Sequence, residues 1–269
     1  MKLQLVLTAL VFIAVVTSPP ANAEQKHPFG PDDLTGLRST RALAVSPNGK
    51  TVLFQVSYDP DKGPAKRDWH LIDLTGDNNH KLELPETFEP TGFTKDGNAL
   101  YGSYEVNKKG QLGIVPLSSD KPSLVIALPN GIHAAVISPD GTKFVLTADP
   151  RPADPLTDVR HVVENEVTSL YVVGSDGKDG AWWCPELTDV SEFAWSADGA
   201  RLAVVTQLQK IGHHDMATTI YVCTAGGSRK VADVKNSVAG IAWAGGGKEL
   251  AFASTTTDVL TPVFLAVLG

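Results

Sequence analysis

Basic clusters are missing from this sequence. Lysine and arginine total 23 against 30 acidic residues, a formal charge of −7, and basic residues never run beyond a pair, as at Lys66-Arg67, Lys108-Lys109 and Arg229-Lys230. Nucleic-acid binding needs clustered cations to displace counterions from phosphates, so no nucleic-acid partner is expected. Compositional extremes are missing too. A hydrophobic fraction of 42% over 269 residues excludes a disordered or collagen-like chain and allows a sizeable buried core.

Cysteine is scarce, with two residues, Cys184 and Cys223. A bridge between them requires Cα atoms within about 7 Å, which sequence alone does not supply. The plainer expectation is two small buried or half-buried residues, with pairing left open.

Long apolar runs are absent except for one. Leu5 to Val16 is interrupted only by Thr8, Lys2 precedes it, and Ala21-Asn22-Ala23 offers a small-x-small cleavage pattern. A membrane-spanning helix needs about 20 apolar residues. This run is shorter and is closed by Pro19-Pro20, so residues 1–23 are expected to be a cleaved signal peptide. The mature chain would begin at Glu24, be secreted or periplasmic, and have no membrane span. No cysteine stands at the cleavage point to take a lipid.

What the sequence does contain is a repeat. Five segments share one pattern: Val45-Ser46-Pro47-Asn48-Gly49, Phe93-Thr94-Lys95-Asp96-Gly97, Ile137-Ser138-Pro139-Asp140-Gly141, Trp195-Ser196-Ala197-Asp198-Gly199 and the degenerate Trp243-Ala244-Gly245-Gly246-Gly247. An apolar residue follows three positions after each glycine: Val52, Leu100, Phe144, Leu202 and Leu250. Proline presets φ near −65°, Asp or Asn tolerates the next position, and Gly takes positive φ, which together make a tight turn between two strands. Apolar alternation on both sides, as in Ile241-Ala242-Trp243 and Leu250-Ala251-Phe252, predicts one buried face per strand.

Third strands are predicted at Trp69–Ile72, Leu112–Val115, Leu170–Val173 and Ile220–Cys223, each followed by a polar turn and a weaker fourth strand. The turn glycines are about 48, 44, 58 and 48 residues apart, the spacing of four-stranded propeller blades with one insertion. A β-sandwich also has many short strands, but it would not repeat one turn in one register five times. The fold class expected is all-β, a β-propeller of about five four-stranded repeats over 42–269. A segment with a short helix is expected over 24–41.

These turns resemble the repeats of periplasmic TolB-like proteins and of prolyl oligopeptidase family serine peptidases. The acidic Pro31-Asp32-Asp33-Leu34-Thr35-Gly36-Leu37-Arg38 before the first repeat resembles the start of the acylaminoacyl-peptidase branch, where a short helix precedes the first blade. In that family a propeller gates access to an α/β-hydrolase domain with a Ser, Asp and His triad. Such a nucleophile needs Gly-x-Ser-x-Gly, and the sequence has none. Gly226-Gly227-Ser228-Arg229-Lys230 has only the first half and reads as a hairpin turn.

No catalytic residue, cofactor or metal site is therefore carried over. The resemblance implies a peptide or protein ligand and a hydrolase domain supplied separately. Relatives would have seven or eight blades. The fifth repeat ends in Thr261–Val267 as a third strand without a fourth, so an incomplete ring is expected; closure would need an N-terminal strand to complete the last blade.

Three clusters remain as candidates. His213-His214-Asp215 offers zinc-type donors, but neighbouring strand residues point to opposite faces and no third ligand lies at suitable spacing. Solvated loop histidines fit better. The insertion from Asp149 to Thr168 carries Arg160, Glu164 and Glu166. Propeller carboxylates of dipeptidyl-peptidase relatives hold a substrate amino terminus, and Glu164 and Glu166 resemble that role in chemistry alone. A solvated charged loop is the competing use. Trp182-Trp183 invites a ligand platform, but alternation predicts one ring packed inward and the other partly exposed, while Trp195 and Trp243 occupy equivalent core positions.

Overall fold

A computed structural model describes residues 38–58, 66–151, 167–209, 216–234, 237–254 and 263–267. All regular structure there is β. The first sheet contains β1 (Arg38–Val45), β2 (Thr51–Tyr58), β3 (Lys66–Asp73) and β4 (His80–Leu82). The second contains β5 (Phe88–Phe93), β6 (Ala99–Val106), β7 (Lys109–Pro116) and β8 (Ser123–Ile126). The third contains β9 (Ala134–Ile137), β10 (Lys143–Ala148), β11 (Ser169–Gly174) and β12 (Ala181–Trp183). The fourth contains β13 (Val190–Trp195), β14 (Leu202–Gln209), β15 (Met216–Thr224) and β16 (Gly227–Val234). The fifth has three strands, β17 (Val238–Ala244), β18 (Glu249–Ser254) and β19 (Val263–Val267). Each sheet is an antiparallel meander.

The repeated turn joins the first and second strands of every sheet. Its glycines all take positive φ: Gly49 (69°), Gly97 (72°), Gly141 (76°), Gly199 (64°) and Gly247 (86°). The Ser or Thr at its head has a second job that the sequence pattern did not reveal. Ser138 Oγ donates to Asp140 Oδ1 at 2.6 Å and accepts the Lys143 backbone N–H at 3.0 Å, and the Asp140 carboxylate accepts the Thr142 N–H. The same lock recurs at Ser46 with Asn48, Thr94 with Asp96 and Ser196 with Asp198. Side-chain acceptors thus satisfy the turn's backbone donors without help from a strand.

Four apolar cores join the five sheets in chain order. Leu53, Leu71, Phe88, Phe93 and Leu100 fill the first seam; Leu112, Ala135, Phe144, Leu146 and Val173 fill the second. Val145, Leu170, Trp183, Trp195 and Leu202 fill the third; Ala203, Val205, Ile220, Leu250 and Phe252 fill the fourth. An inner sheet is buried on both faces. Along β14, Leu202 and Val204 enter the third core while Ala203 and Val205 enter the fourth. Its strand therefore reads as a continuous apolar run instead of an alternating one.

In β18 burial alternates, because only Leu250 and Phe252 meet a neighbouring sheet. Among the described residues no such core joins the fifth sheet to the first. Among the described residues the five sheets thus share four seams. Val45 of the first sheet has no such core on its outer side among the described residues. Its repeat equivalents Phe93 and Trp195 are buried, whereas Val45 is 56% exposed.

The two cysteines are paired, which decides what the sequence left open. Cys184 follows β12 and Cys223 lies in β15, with Cα atoms 6.2 Å apart. Seam geometry brings these adjacent-sheet positions together, and no sequence pattern encodes that. The signal peptide and the short helix expected within 24–41 fall at residues outside those described, except that β1 already begins at Arg38.

Candidate functional site

The seams are where one sheet's side chains reach the next, so they are built from the repeat itself. Trp195 Nε1 donates to the Val136 carbonyl at 3.2 Å, and Trp243 Nε1 donates to the Ala194 carbonyl at 2.9 Å. Both acceptors directly precede the matching repeat position of the sheet before. On the turn side, Lys95 Nζ crosses the second seam to the Pro139 carbonyl at 2.6 Å. In the fourth, Arg201 lies 4.6 Å from the Trp243 ring centroid, a cation–π contact, and Glu192 accepts the Gly240 N–H. Ser228 Oγ donates to Glu186 across the third seam at 2.5 Å.

Among the described residues no such side-chain bond crosses the first seam on its turn side. Pro47 stands where Lys95 stands in the next repeat; it approaches Gly97 of the second sheet's turn but has no side-chain donor to bond across the seam. A cleft of about 300 Å³ opens there, with Leu71 and Phe93 among its apolar lining and Asp73, His80, Asp96 and Asn98 among its polar lining. Asp73 accepts from Asn78 Nδ2 at 2.6 Å and Thr51 Oγ1 at 3.4 Å. His80 Nδ1 donates to the Asn78 carbonyl at 3.0 Å. The Thr94 hydroxyl, then the Asn98 backbone N–H, hold the Asp96 carboxyl below its ordinary range. Among the described residues neither carboxylate has an ion-pair partner. The cleft thus offers apolar contact beside acceptors, a surface suited to amide N–H or ammonium donors.

The candidates Arg160, Glu164, Glu166, His213 and His214 lie outside the described residues. The chain segments that carry them connect β10 to β11 and β14 to β15, the same connection in two neighbouring sheets. At the rim of the first of these, Arg151 pairs with Asp149, and Asn130 Nδ2 donates to the Arg151 carbonyl at 2.7 Å. Among the described residues no three His, Cys, Asp or Glu side chains are placed to hold a metal. The tryptophan pair divides as alternation predicts. Trp183 is buried against Trp195, their centroids 5.9 Å apart, while half-buried Trp182 packs edge-on to Tyr171. Sequence reasoning missed Asp73, His80 and Asp96 as a site.

No family model and no curated protein matches this sequence. Solved structures do match, and they define the chain as a β-propeller of the kind found in TolB and in acylaminoacyl-type peptidases. TolB from Acinetobacter baumannii superposes with a TM-score of 0.58 at 14% identity, over 86% of this chain and 52% of that one. The β-propeller domain of the Trilobed protease from Pyrococcus furiosus, described as having an open velcro topology, gives 0.57 at 13% over 86% and 68%. Pyrococcus horikoshii acylaminoacyl peptidase gives 0.60 at 12% over 86% and 38%. The chain therefore spans about half the length of that TolB and well under half of that peptidase.

Proposed function

We propose that this chain is a non-catalytic propeller that gates and binds peptides for an exported prolyl oligopeptidase family serine peptidase. The observation that carries the reading is the match of its five-sheet arc to the acylaminoacyl peptidase propeller, in a sequence without a Gly-x-Ser-x-Gly elbow. Gating needs a scaffold that admits extended peptides, and the first-seam cleft supplies acceptors and apolar surface at that scale. Loops carrying Arg160, Glu164 and Glu166 would add contacts to a peptide terminus. His213 and His214 would stand on the equivalent connection one sheet on.

A second reading follows from the TolB match: a periplasmic module that binds folded protein partners. The two are separable. The purified chain from Glu24 onward is treated with a fluorophosphonate probe and acyl-peptide substrates, then titrated with short acylated peptides and followed by NMR. Gating predicts no labelling and no turnover, with peptide-induced shifts at Asp73, His80 and Asp96. Shifts only with a folded periplasmic partner favour the TolB-like reading. Specific labelling of a serine would remove both.

A further inference from the structure

The second, third and fourth seams each carry a cation from this chain on the turn side. Lys95 Nζ crosses the second to the Pro139 carbonyl. At the third, Lys143 Nζ lies 5.9 Å from the ring centroid of Trp183. At the fourth, Arg201 lies 4.6 Å from the Trp243 centroid and 3.6 Å from the Asp198 carboxylate.

Two repeat positions supply these cations. Lys95 stands two residues before its turn glycine, Gly97, while Lys143 and Arg201 stand two residues after theirs, Gly141 and Gly199. At the first seam the same positions hold Pro47 and Thr51, and neither is charged. Thr51 shares the strand face of Leu53, which enters the first core, so it points to its seam as Lys143 and Arg201 point to theirs. Carboxylates nonetheless remain. Asp73 and Asp96 line the cleft from the first and second sheets, and no lysine or arginine is among its lining residues. Leu71 and Phe93 add apolar lining, and Leu117, still 41% exposed, extends it.

We propose that this cleft takes the lysine side chain of a bound peptide, so that the ligand brings the cation which the other seams draw from the chain itself. The inference rests on the peptide-binding reading above and names the residue that the cleft selects. The lysine methylenes pack on Leu71 and Phe93, and the ammonium donates to Asp73 and Asp96. An apolar neighbour in the peptide covers Leu117. Lysine suits the site better than arginine because the two carboxylates belong to different sheets. A compact ammonium with three rotatable donors serves both, whereas a guanidinium matches one carboxylate through its planar fork. Phe93 is also a poorer cation–π partner than the Trp243 that Arg201 uses.

The full chain is titrated with acetyl-Leu-Lys-Leu-amide, whose side chain is its only cation, and followed by backbone-amide NMR. Norleucine in place of lysine keeps the methylenes and removes the charge, and it should weaken binding at least about tenfold. Arginine should weaken it about threefold. Equal binding by the norleucine peptide overturns the proposal, and an arginine peptide that binds as tightly as the lysine one overturns the choice of lysine.

Asp96→Asn removes one charge and keeps the turn, because Asn48 makes the same lock in the first sheet by accepting the Ser46 hydroxyl and the Lys50 N–H. It should weaken lysine-peptide binding about threefold or more, while Asp140→Asn, the same change one sheet on, leaves it unaltered. Thr51→Lys supplies the missing cation within the chain and should abolish binding. Unchanged affinity in either Asp96→Asn or Thr51→Lys, or an equal loss in Asp140→Asn, overturns the proposal. Should one of the first two chains fail to fold, the other decides together with the norleucine comparison. A lysine peptide whose shifts fall away from Asp73 and Asp96 overturns this inference and leaves the gating reading standing; no binding by any acylated peptide overturns both.

Discussion

Gly141 and Lys95 meet across the second seam: a Cβ on Gly141 would collide with the Lys95 Cβ. The glycine of the turn therefore serves two ends, since it takes φ of 76° within its own sheet and leaves room for the preceding sheet's turn. Gly97 has Pro47 Cδ at 3.4 Å from its ideal Cβ, and Gly49 has nothing within 4 Å. Alanine substitutions should rank accordingly. Gly49→Ala costs about 1 kcal/mol from positive φ alone, Gly97→Ala slightly more, and Gly141→Ala about 2–3 kcal/mol because overlap is added to strain. Urea denaturation of the three variants checks the order. Equal losses would mean the turns do not touch.

The tryptophans should be worth more than their apolar area. Trp243→Phe keeps most of the packing but leaves the Ala194 carbonyl without its indole donor. About 1–2 kcal/mol of stability should be lost, with Trp195→Phe costing at least as much because Trp183 also loses its edge-on partner. Thermal melts of both variants, with Trp182→Phe as a half-buried control, test this.

Acid should loosen the turns before the cores. The Ser138 hydroxyl, then the backbone and side chain of Thr142, lower the Asp140 carboxyl from 3.8 to about 2. Asp198, held by Ser196 and the Ala200 N–H, and Asp96 are lowered in the same direction. A depressed folded-state value means each turn stabilises the fold above the unfolded pKa. That contribution is lost as pH falls from 3.8 through about 2. Carboxylate NMR titration should find Asp140 near 2, and Ser138→Ala should return it toward 3.8. An unshifted Asp140 in the unaltered chain would refute the lock.

Removing the disulfide should be costly at equilibrium. With cysteines 39 positions apart, the chain-entropy treatment gives about 4 kcal/mol, less any relief of native strain. The Cys184→Ala, Cys223→Ala chain should therefore unfold at markedly lower urea. A loss under about 1 kcal/mol would show that the unfolded chain is scarcely constrained by the bond.

Much of this arc is legible in the amino-acid order. The Gly49, Gly97, Gly141, Gly199 and Gly247 turns locate every first hairpin, because positive φ is a local demand that only a few residues meet. The opposite fates of Trp182 and Trp183 follow from strand alternation. The candidate cleft was not legible. Asp73 and His80 belong to one sheet and Asp96 to the next, and their meeting depends on how far apart two sheets stand.

The sequence by itself determined the turns, the strands and the repeat, since each rests on residues close together in the chain. Only the tertiary structure decided that Cys184 meets Cys223, that a cleft opens at the first seam and that Lys95 crosses the next one. Those outcomes depend on the separation and twist of neighbouring sheets, which are set jointly by four packed cores rather than by any one stretch of chain.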